Sequence, residues 1–568
     1  MPSRPDEGVF IPDAKGYVVD EHIFGEPRQL RIITLGAGAS GLNVARQIEK
    51  HMEAVDLQIY EKNSDVGGTW LENRYPGCAC DIPSHSYQYT WAPNPNWKKF
   101  YSPGPEILEY FQDIAEKYDL RRYIKFRHQI ISAIWDEEAG IWNIRVKNLE
   151  TGEEIEDWCH FFINASGFLN NWKWPEIKGL DTFKGDIKHS AAWNPETDLS
   201  NKTVAVIGSG SSAIQIVPSI QPEVKHLTTF VRSPTWVTAG FAQSKAGPGG
   251  TNFEFSIEQK DEFAKDPEKY LAYRKDVEKE MCSRFRMLHK DTPEQKAAVE
   301  FSTSDMKSKL GPNNPLADFI IPKFAVGCRR PTPGNGYLES LTKENVRVIT
   351  DEIAEVVPEG LVLNTGETLK VDVLICATGF DLSFCPRFPV IGRNGANLAE
   401  QWKERATAYL SMAPENMPNY FMFTGPNSPV SHGSAIPIIE HTTKYILKML
   451  YKCQTESIKA ICPSPSAIRE YKTHADVFLT RTAWSTKCRS WFKNGKIDGP
   501  VVALYPGSRI HWFHMMTNPR YEDWEWTRLN PLNRFAYLGN GFSVREGAGR
   551  DLTWYFDDPD VGYEGLLY

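Results

Sequence analysis

Short apolar runs that close on glycine or another small residue recur along this chain, and two of them lead into a helical spacing of apolar positions. Arg31-Ile32-Ile33-Thr34-Leu35 reads as a buried strand, Leu42 to His51 as the helix after it, and Asp56-Leu57-Gln58-Ile59-Tyr60 as the next strand. The same order returns at Thr203-Val204-Ala205-Val206-Ile207 and Leu227-Thr228-Thr229-Phe230-Val231. A strand pair runs from about Ile130 to Val146, and buried strands ending on small residues are predicted at Phe161 to Gly167 and Val371 to Asp381. Between the repeats, Ser256 to Lys309 is charged, helical and too long for a loop, which predicts a helical insertion. Ile438 to Lys452 has amphipathic spacing, and from Trp491 onward aromatic residues lack a period and predict a segment packed around the rest.

The turns between strand and helix carry the chemistry. Gly36-Ala37-Gly38-Ala39-Ser40-Gly41 is a dinucleotide fingerprint in its required context. Gly36 permits the tight turn, Gly38 leaves room for a pyrophosphate, and Gly41 lets helix and strand pack closely, with the phosphate at the helix N-terminus. The second strand ends on Glu61, at the spacing where a carboxylate accepts hydrogen bonds from an adenosine ribose and would repel a 2′-phosphate, which suits FAD. The second turn reads Gly208-Ser209-Gly210-Ser211-Ser212-Ala213, and the strand after it ends on Arg232-Ser233. A cation there favours a 2′-phosphate and hence NADPH. The expected fold class is α/β with two Rossmann-like dinucleotide-binding domains, FAD and NADP, the second carrying the insertion. The expected boundaries are an N-terminal arm over 1–28, the first part of the FAD domain over 29–185, and the NADP domain over 186–372 with its insertion at about 256–310. The return to the FAD domain and the C-terminal segment then fill 373–568.

Composition narrows the partners. The chain has 568 residues, a net charge of −8 and ten cysteines. The charge gives no reason to expect nucleic acid or an anionic membrane, and no run reads as a transmembrane helix or a secretion signal, so a cytoplasmic location is expected; no dimer-forming pattern stands out, so a monomer is expected. Cys78-Ala79-Cys80 has no partner pair at zinc-ligand spacing, so no metal is expected and the cysteines are read as reduced structural thiols.

Two further segments carry a family resemblance. Phe183-Lys184-Gly185-Asp186-Ile187-Lys188-His189-Ser190-Ala191-Ala192-Trp193 resembles the fingerprint of type I Baeyer–Villiger monooxygenases, class B flavoproteins. In that fingerprint the tryptophan separates the group from N-hydroxylating relatives. Asn194-Pro195 departs from the family, which usually has proline or aspartate directly after that tryptophan. Gly67-Gly68-Thr69-Trp70-Leu71-Glu72-Asn73-Arg74-Tyr75-Pro76-Gly77-Cys78-Ala79-Cys80-Asp81, continued by Ile82-Pro83-Ser84-His85-Ser86-Tyr87, resembles the family's flavin-contact segment. The likeness runs from about residue 29 to the C-terminus.

The resemblance implies that NADPH reduces FAD, oxygen adds to the flavin, and the resulting peroxide attacks a ketone to give an ester or lactone. It implies Arg330, in Gly327-Cys328-Arg329-Arg330, as the cation that keeps the attacking group anionic, and Asp81 as the carboxylate that positions it. Arg329 matches the position that helps Arg232 and Ser233 hold the 2′-phosphate, and Trp491 resembles a cofactor-contacting tryptophan. Gly68, Thr69, Trp70, Tyr87 and the small residues Ala377, Thr378 and Gly379 are expected beside the cofactors, while His189 and Trp193 are expected to link the domains. The plain alternatives are surface charge for the arginines and a helix cap for Asp81. An N- or S-oxygenating flavin monooxygenase is the rival that keeps both turns and has no need of Arg330. A disulfide reductase lacks its Cys-x-x-Cys pair, and a redox-responsive binding protein would not consume oxygen. The aromatic C-terminal region and the arm resemble fungal members, which often act on bulky secondary metabolites.

Overall fold

The computed structural model describes residues 16–547 and 549–556; residues 1–15 of the expected arm and the last twelve residues, 557–568, lie outside them. Two parallel sheets organise the chain. In the first lie β1 (Leu30–Leu35), β2 (Val55–Tyr60), β3 (Ile124–Lys125) and β4 (Phe161–Asn164), with α1 (Ala39–His51) connecting the first two. The second holds β5 (Asp186–His189), β6 (Thr203–Ile207), β7 (His226–Phe230), β8 (Val346–Ile349) and β9 (Val373–Cys376). The chain re-enters the first sheet at β10 (Tyr420–Met422). The spatial orders are β10-β4-β1-β2-β3 and β8-β7-β6-β9-β5. In each sheet the strand before a glycine turn, β1 or β6, is central and its neighbours are reached by connections running opposite ways. Such a switch point leaves a crevice at the carboxyl ends of the strands.

One boundary differs from the sequence reading. β9 pairs in parallel with β5 and β6, Val373 with Asp186 and Val204, so the run that ends in Ala377-Thr378-Gly379 completes the second sheet and the return comes later, at β10. All four residues of β9 are buried, and a strand buried on both faces shows no alternation that could tell which sheet it joins.

The stretch between β7 and β8 contains α4 (Ile257–Lys265), α5 (Pro267–Cys282) and α6 (Pro293–Leu310), begun by side-chain caps from Ser256, Asp266 and Thr292. α7 (Ala435–Thr455) buries Ile439, Tyr445, Ile446 and Met449 in the cluster that also takes Leu42 and Val44 of α1. The C-terminal aromatics divide: Tyr505, Trp512 and Trp524 are buried, whereas Phe535, Phe542 and Phe556 are 57%, 61% and 73% exposed, so only part of this segment packs its aromatic side chains around the rest. Part of the arm lies on this segment, where Phe24 exchanges backbone hydrogen bonds with Phe542 and Val544. Among the described residues no helix is long and apolar enough to cross a membrane.

Candidate active site

Backbone crowding shapes the first glycine turn. Gly36 has a φ of 99°, and a Cβ there would stand 2.9 Å from the Ala165 carbonyl oxygen, so only glycine fits. Gly41 presses on the Gly36 carbonyl, which any side chain would displace. A Cβ on Gly68 would stand 3.0 Å from the Cα of Gly38, and the Gly67 N–H donates to Ala37 O at 3.2 Å. The Gly67–Trp70 segment therefore crosses the turn at backbone contact. α1 starts from Gly38 with no side-chain cap and no acidic residue in its first turn, which leaves the amides of Ala39, Ser40 and Gly41 without helical partners and favourable to an anion. Glu61 is 4% exposed beside the same turn and accepts from the Ala37 and Asn63 amides, both at 2.8 Å. Burial raises its carboxyl above the usual range, and the two amides partly offset that. Trp70 donates its Nε1–H to the Tyr87 hydroxyl at 3.2 Å, the rings meeting edge to face, and Thr69 opens the short helix α2 of residues 69–72.

The second turn repeats this construction. Gly208 has a φ of 125°, and a Cβ on it would meet the Ala377 carbonyl oxygen at 2.5 Å. Ala377, Thr378 and Gly379 thus stand against the second turn as Ala165, Ser166 and Gly167 stand against the first, which corrects their expected place in the first fold. Nothing lies within 4 Å of a Cβ on Gly210, so the space beside it is open. Helix α3 (Ser211–Ile220) also starts without a side-chain cap or an acidic first turn, and the Ser211 hydroxyl is 3.0 Å from that of Thr332. Ser209 and Ser212 stand on either side of this opening in the chain. Arg329 donates to the Pro234 carbonyl at 3.0 Å. Burial first, and then the charge of Arg232, disfavour its cationic form. Two cations held close enough to repel, with Ser233 beside them, make a place that an anion relieves.

Arg330 and Asp81 meet between the two folds. Arg330 Nη2 donates to Asp81 Oδ1 at 2.8 Å and Nη1 to Oδ2, a forked pair whose side chains are 30% and 18% exposed. Burial works against the arginine's charge, Asp81 outweighs it, and the guanidinium is held above its usual range as a permanent cation. Its Cζ lies 5.9 Å from the Phe241 ring. Asp81 is no helix cap, because the 3-10 turn Ser84–Ser86 starts from Pro83 without a side-chain cap. The segment that brings Asp81 here is fastened to the second fold by Gln215, whose Nε2 donates to Ala79 O at 2.9 Å while its Oε1 accepts from Tyr75 at 2.9 Å. Gln215 has no marker in the sequence beyond the helix it sits on.

His189 lies at the crossing between folds. Its Nδ1 accepts from the Ala191 amide at 3.1 Å, so Nε2 carries the proton toward the Thr378 hydroxyl at 3.3 Å, and Trp172 stacks on the ring at 4.5 Å. Burial pushes it down to about 4, leaving it neutral and fully engaged. Trp193 is buried in the core of the second fold. Trp491 packs on Phe168, 5.6 Å away, just beyond Gly167.

The cysteines correct one expectation. Cys328, directly before the arginine pair, forms a disulfide with Cys488, which ties the second fold to the segment bearing Trp491. Their separation of 160 residues hides this pairing from sequence. Cys78 and Cys80 are free and buried, burial pushes Cys78 up to about 11 and raises Cys80 as well, so neither is a reactive redox thiol.

This geometry has close counterparts among known proteins. Residues 29–248 match the flavin-binding monooxygenase-like family. The FAD-binding monooxygenase tazF of Aspergillus terreus is 41% identical over 93% of this chain and 95% of its own length. A Baeyer–Villiger monooxygenase of Streptomyces coelicolor is 31% identical over 86% of this chain and 90% of its own length. The crystal structure of cyclohexanone monooxygenase from Rhodococcus sp. Phi1 bound to NADP+ superposes with a TM-score of 0.76 at 27% identity, covering 89% of this chain and all of that one. The chain belongs to the FAD-binding monooxygenase family that includes the Baeyer–Villiger enzymes, and it is an NADPH-dependent flavoprotein monooxygenase.

Proposed function

We propose that this enzyme inserts one oxygen atom of O2 beside a ketone carbonyl, giving an ester or lactone. The observation that carries the reading is the Arg330–Asp81 fork between the two nucleotide folds. FAD, when bound and reduced by NADPH, supplies oxygen activation. The first turn, with Gly36, Gly38, Ala39, Ser40, Gly41 and Glu61, would hold its ADP half, and Gly68, Thr69, Trp70 and Tyr87 would lie along the flavin. Gly208 to Ser212, Arg232, Ser233 and Arg329 would hold NADPH, with Ala377, Thr378, Gly379 and Trp491 closing on the two. Arg330 stabilises negative charge at the reacting centre. At about 4 Å and an effective dielectric near 20, that is worth about 4 kcal/mol, enough to decide whether an anionic nucleophile persists. Asp81 fixes the guanidinium's direction through the forked pair.

Arg330→Ala is expected to retain NADPH oxidation and lose ester formation by about 10²- to 10³-fold, the loss typical of one removed anion-stabilising donor. Turnover of a ketone panel read by gas chromatography, with NADPH consumption followed in parallel, makes the comparison. An unchanged ester yield overturns the assignment and leaves oxygenation at nitrogen or sulfur as the better reading.

A further inference from the structure

Three elements from different parts of the chain converge on one buried arginine. Arg509, at the start of the helix Arg509–Met515, is 0% exposed. Its Nη2 donates to the Ser434 carbonyl at 2.8 Å, and its Nη1 lies 2.8 Å from Glu278 Oε1 on α5 of the insertion. Gly433, with a φ of 79°, lies directly under the guanidinium, where any side chain would displace it. His432 accepts from the Arg509 amide at 3.4 Å, sits 2.7 Å from the Ser431 hydroxyl and stacks on Phe285 of the insertion at 5.7 Å. Burial, and then the Arg509 charge, push His432 down to about 3, so Arg509 and Glu278 are the charged pair of this cluster.

The loop Ser431–Ser434 follows β10 of the first sheet and leads into α7, whereas Glu278 belongs to the second fold and Arg509 to the C-terminal segment. A buried charge left without its partner is expensive, so the insertion cannot leave this loop without either separating the two charges or wetting Arg509. We infer that Arg509 and Glu278 form a latch that closes the helical insertion over the first fold, and that Arg509 is a positioning residue for the reaction through the Ser431–Ser434 loop. Closure matters because an oxygen-activating site must keep water out, and to that extent the inference rests on the monooxygenase chemistry proposed above.

The test needs no ketone. FAD-loaded enzyme is given NADPH and oxygen alone, and the leak NADPH + H+ + O2 → NADP+ + H2O2 is followed by peroxide release. Glu278→Gln removes the carboxylate charge while keeping its shape, Arg509→Met removes the cation, and the double variant removes both. Displacement of the loop is expected to raise the leak in each single variant by up to about 10²-fold, the scale of a misplacement remote from the chemistry. Hydrogen exchange over residues 278–289 and 431–434 is expected to quicken with it. In the double variant no charge is stranded, so thermal stability recovers while the leak and the exchange stay high. A leak that remains at the wild-type rate in the folded variants, or one that falls back with recovered stability in the double variant, overturns the latch. Because ketone turnover is not read, unchanged ester yield in Arg330→Ala would refute the proposed reaction without touching this result.

Discussion

Replacing Arg329 by alanine should separate NADPH from NADH. Burial and then Arg232 disfavour the Arg329 charge, so the fold itself carries part of the cost of assembling that cation pair. A 2′-phosphate between the two cations removes the repulsion and gains a charge-assisted hydrogen bond of about 1.5–3 kcal/mol from Arg329. At about 1.4 kcal/mol per decade, Arg329→Ala is expected to raise the NADPH dissociation constant by roughly 10- to 150-fold. NADH lacks the phosphate and should bind as before or slightly better, since Arg232 loses its like-charged neighbour. The assay is anaerobic reduction of the bound flavin by each dinucleotide in stopped flow, the dissociation constant coming from the concentration dependence of the rate. The phosphate's second proton has a pKa near 6, so wild-type discrimination should weaken as pH falls through about 6, where the dianion becomes a monoanion. Equal losses for NADPH and NADH would refute the reasoning, because they would place Arg329 on a part common to both.

Two further outcomes follow from the same geometry. Gly210→Ala adds a methyl group to open space, so folding and flavin content should be unchanged while NADPH affinity falls, as read by titration; loss of FAD from the variant would contradict the placement of that turn. His85 and His432 are pushed down to about 3, and His160 and His189 to about 4, all first by burial. With folded values below the unfolded 6.5, the unfolded chain takes up protons that the fold does not. Stability is therefore full above about pH 6.5 and is lost as pH falls toward 4, by about 2 kcal/mol per histidine at pH 5. Urea unfolding at pH 7.5 and pH 5 checks this, and a His189→Gln variant with an unchanged pH slope removes that residue from the account.

What the sequence determined is what a few neighbouring residues enforce. Both glycine turns were legible because a strand, a left-handed glycine and a helix start must follow within a dozen residues, and Gly36 and Gly208 do take positive φ values. The insertion was legible from charge and length, and α7 from its spacing. The family resemblance also marks Arg330 and Asp81 from sequence alone. Tertiary structure decided which distant pieces meet. β9 is an unbroken apolar run, equally suited to either sheet, and only its pairing with β5 and β6 assigned it. The Cys328–Cys488 bond, the fork between Arg330 and Asp81, and the contact of Arg509 with Glu278 each join residues far apart in the chain. Such contacts leave no periodic trace: a lone cysteine, arginine or glutamate reads the same on a solvated surface and in a buried pair, and burial alone sets its chemistry.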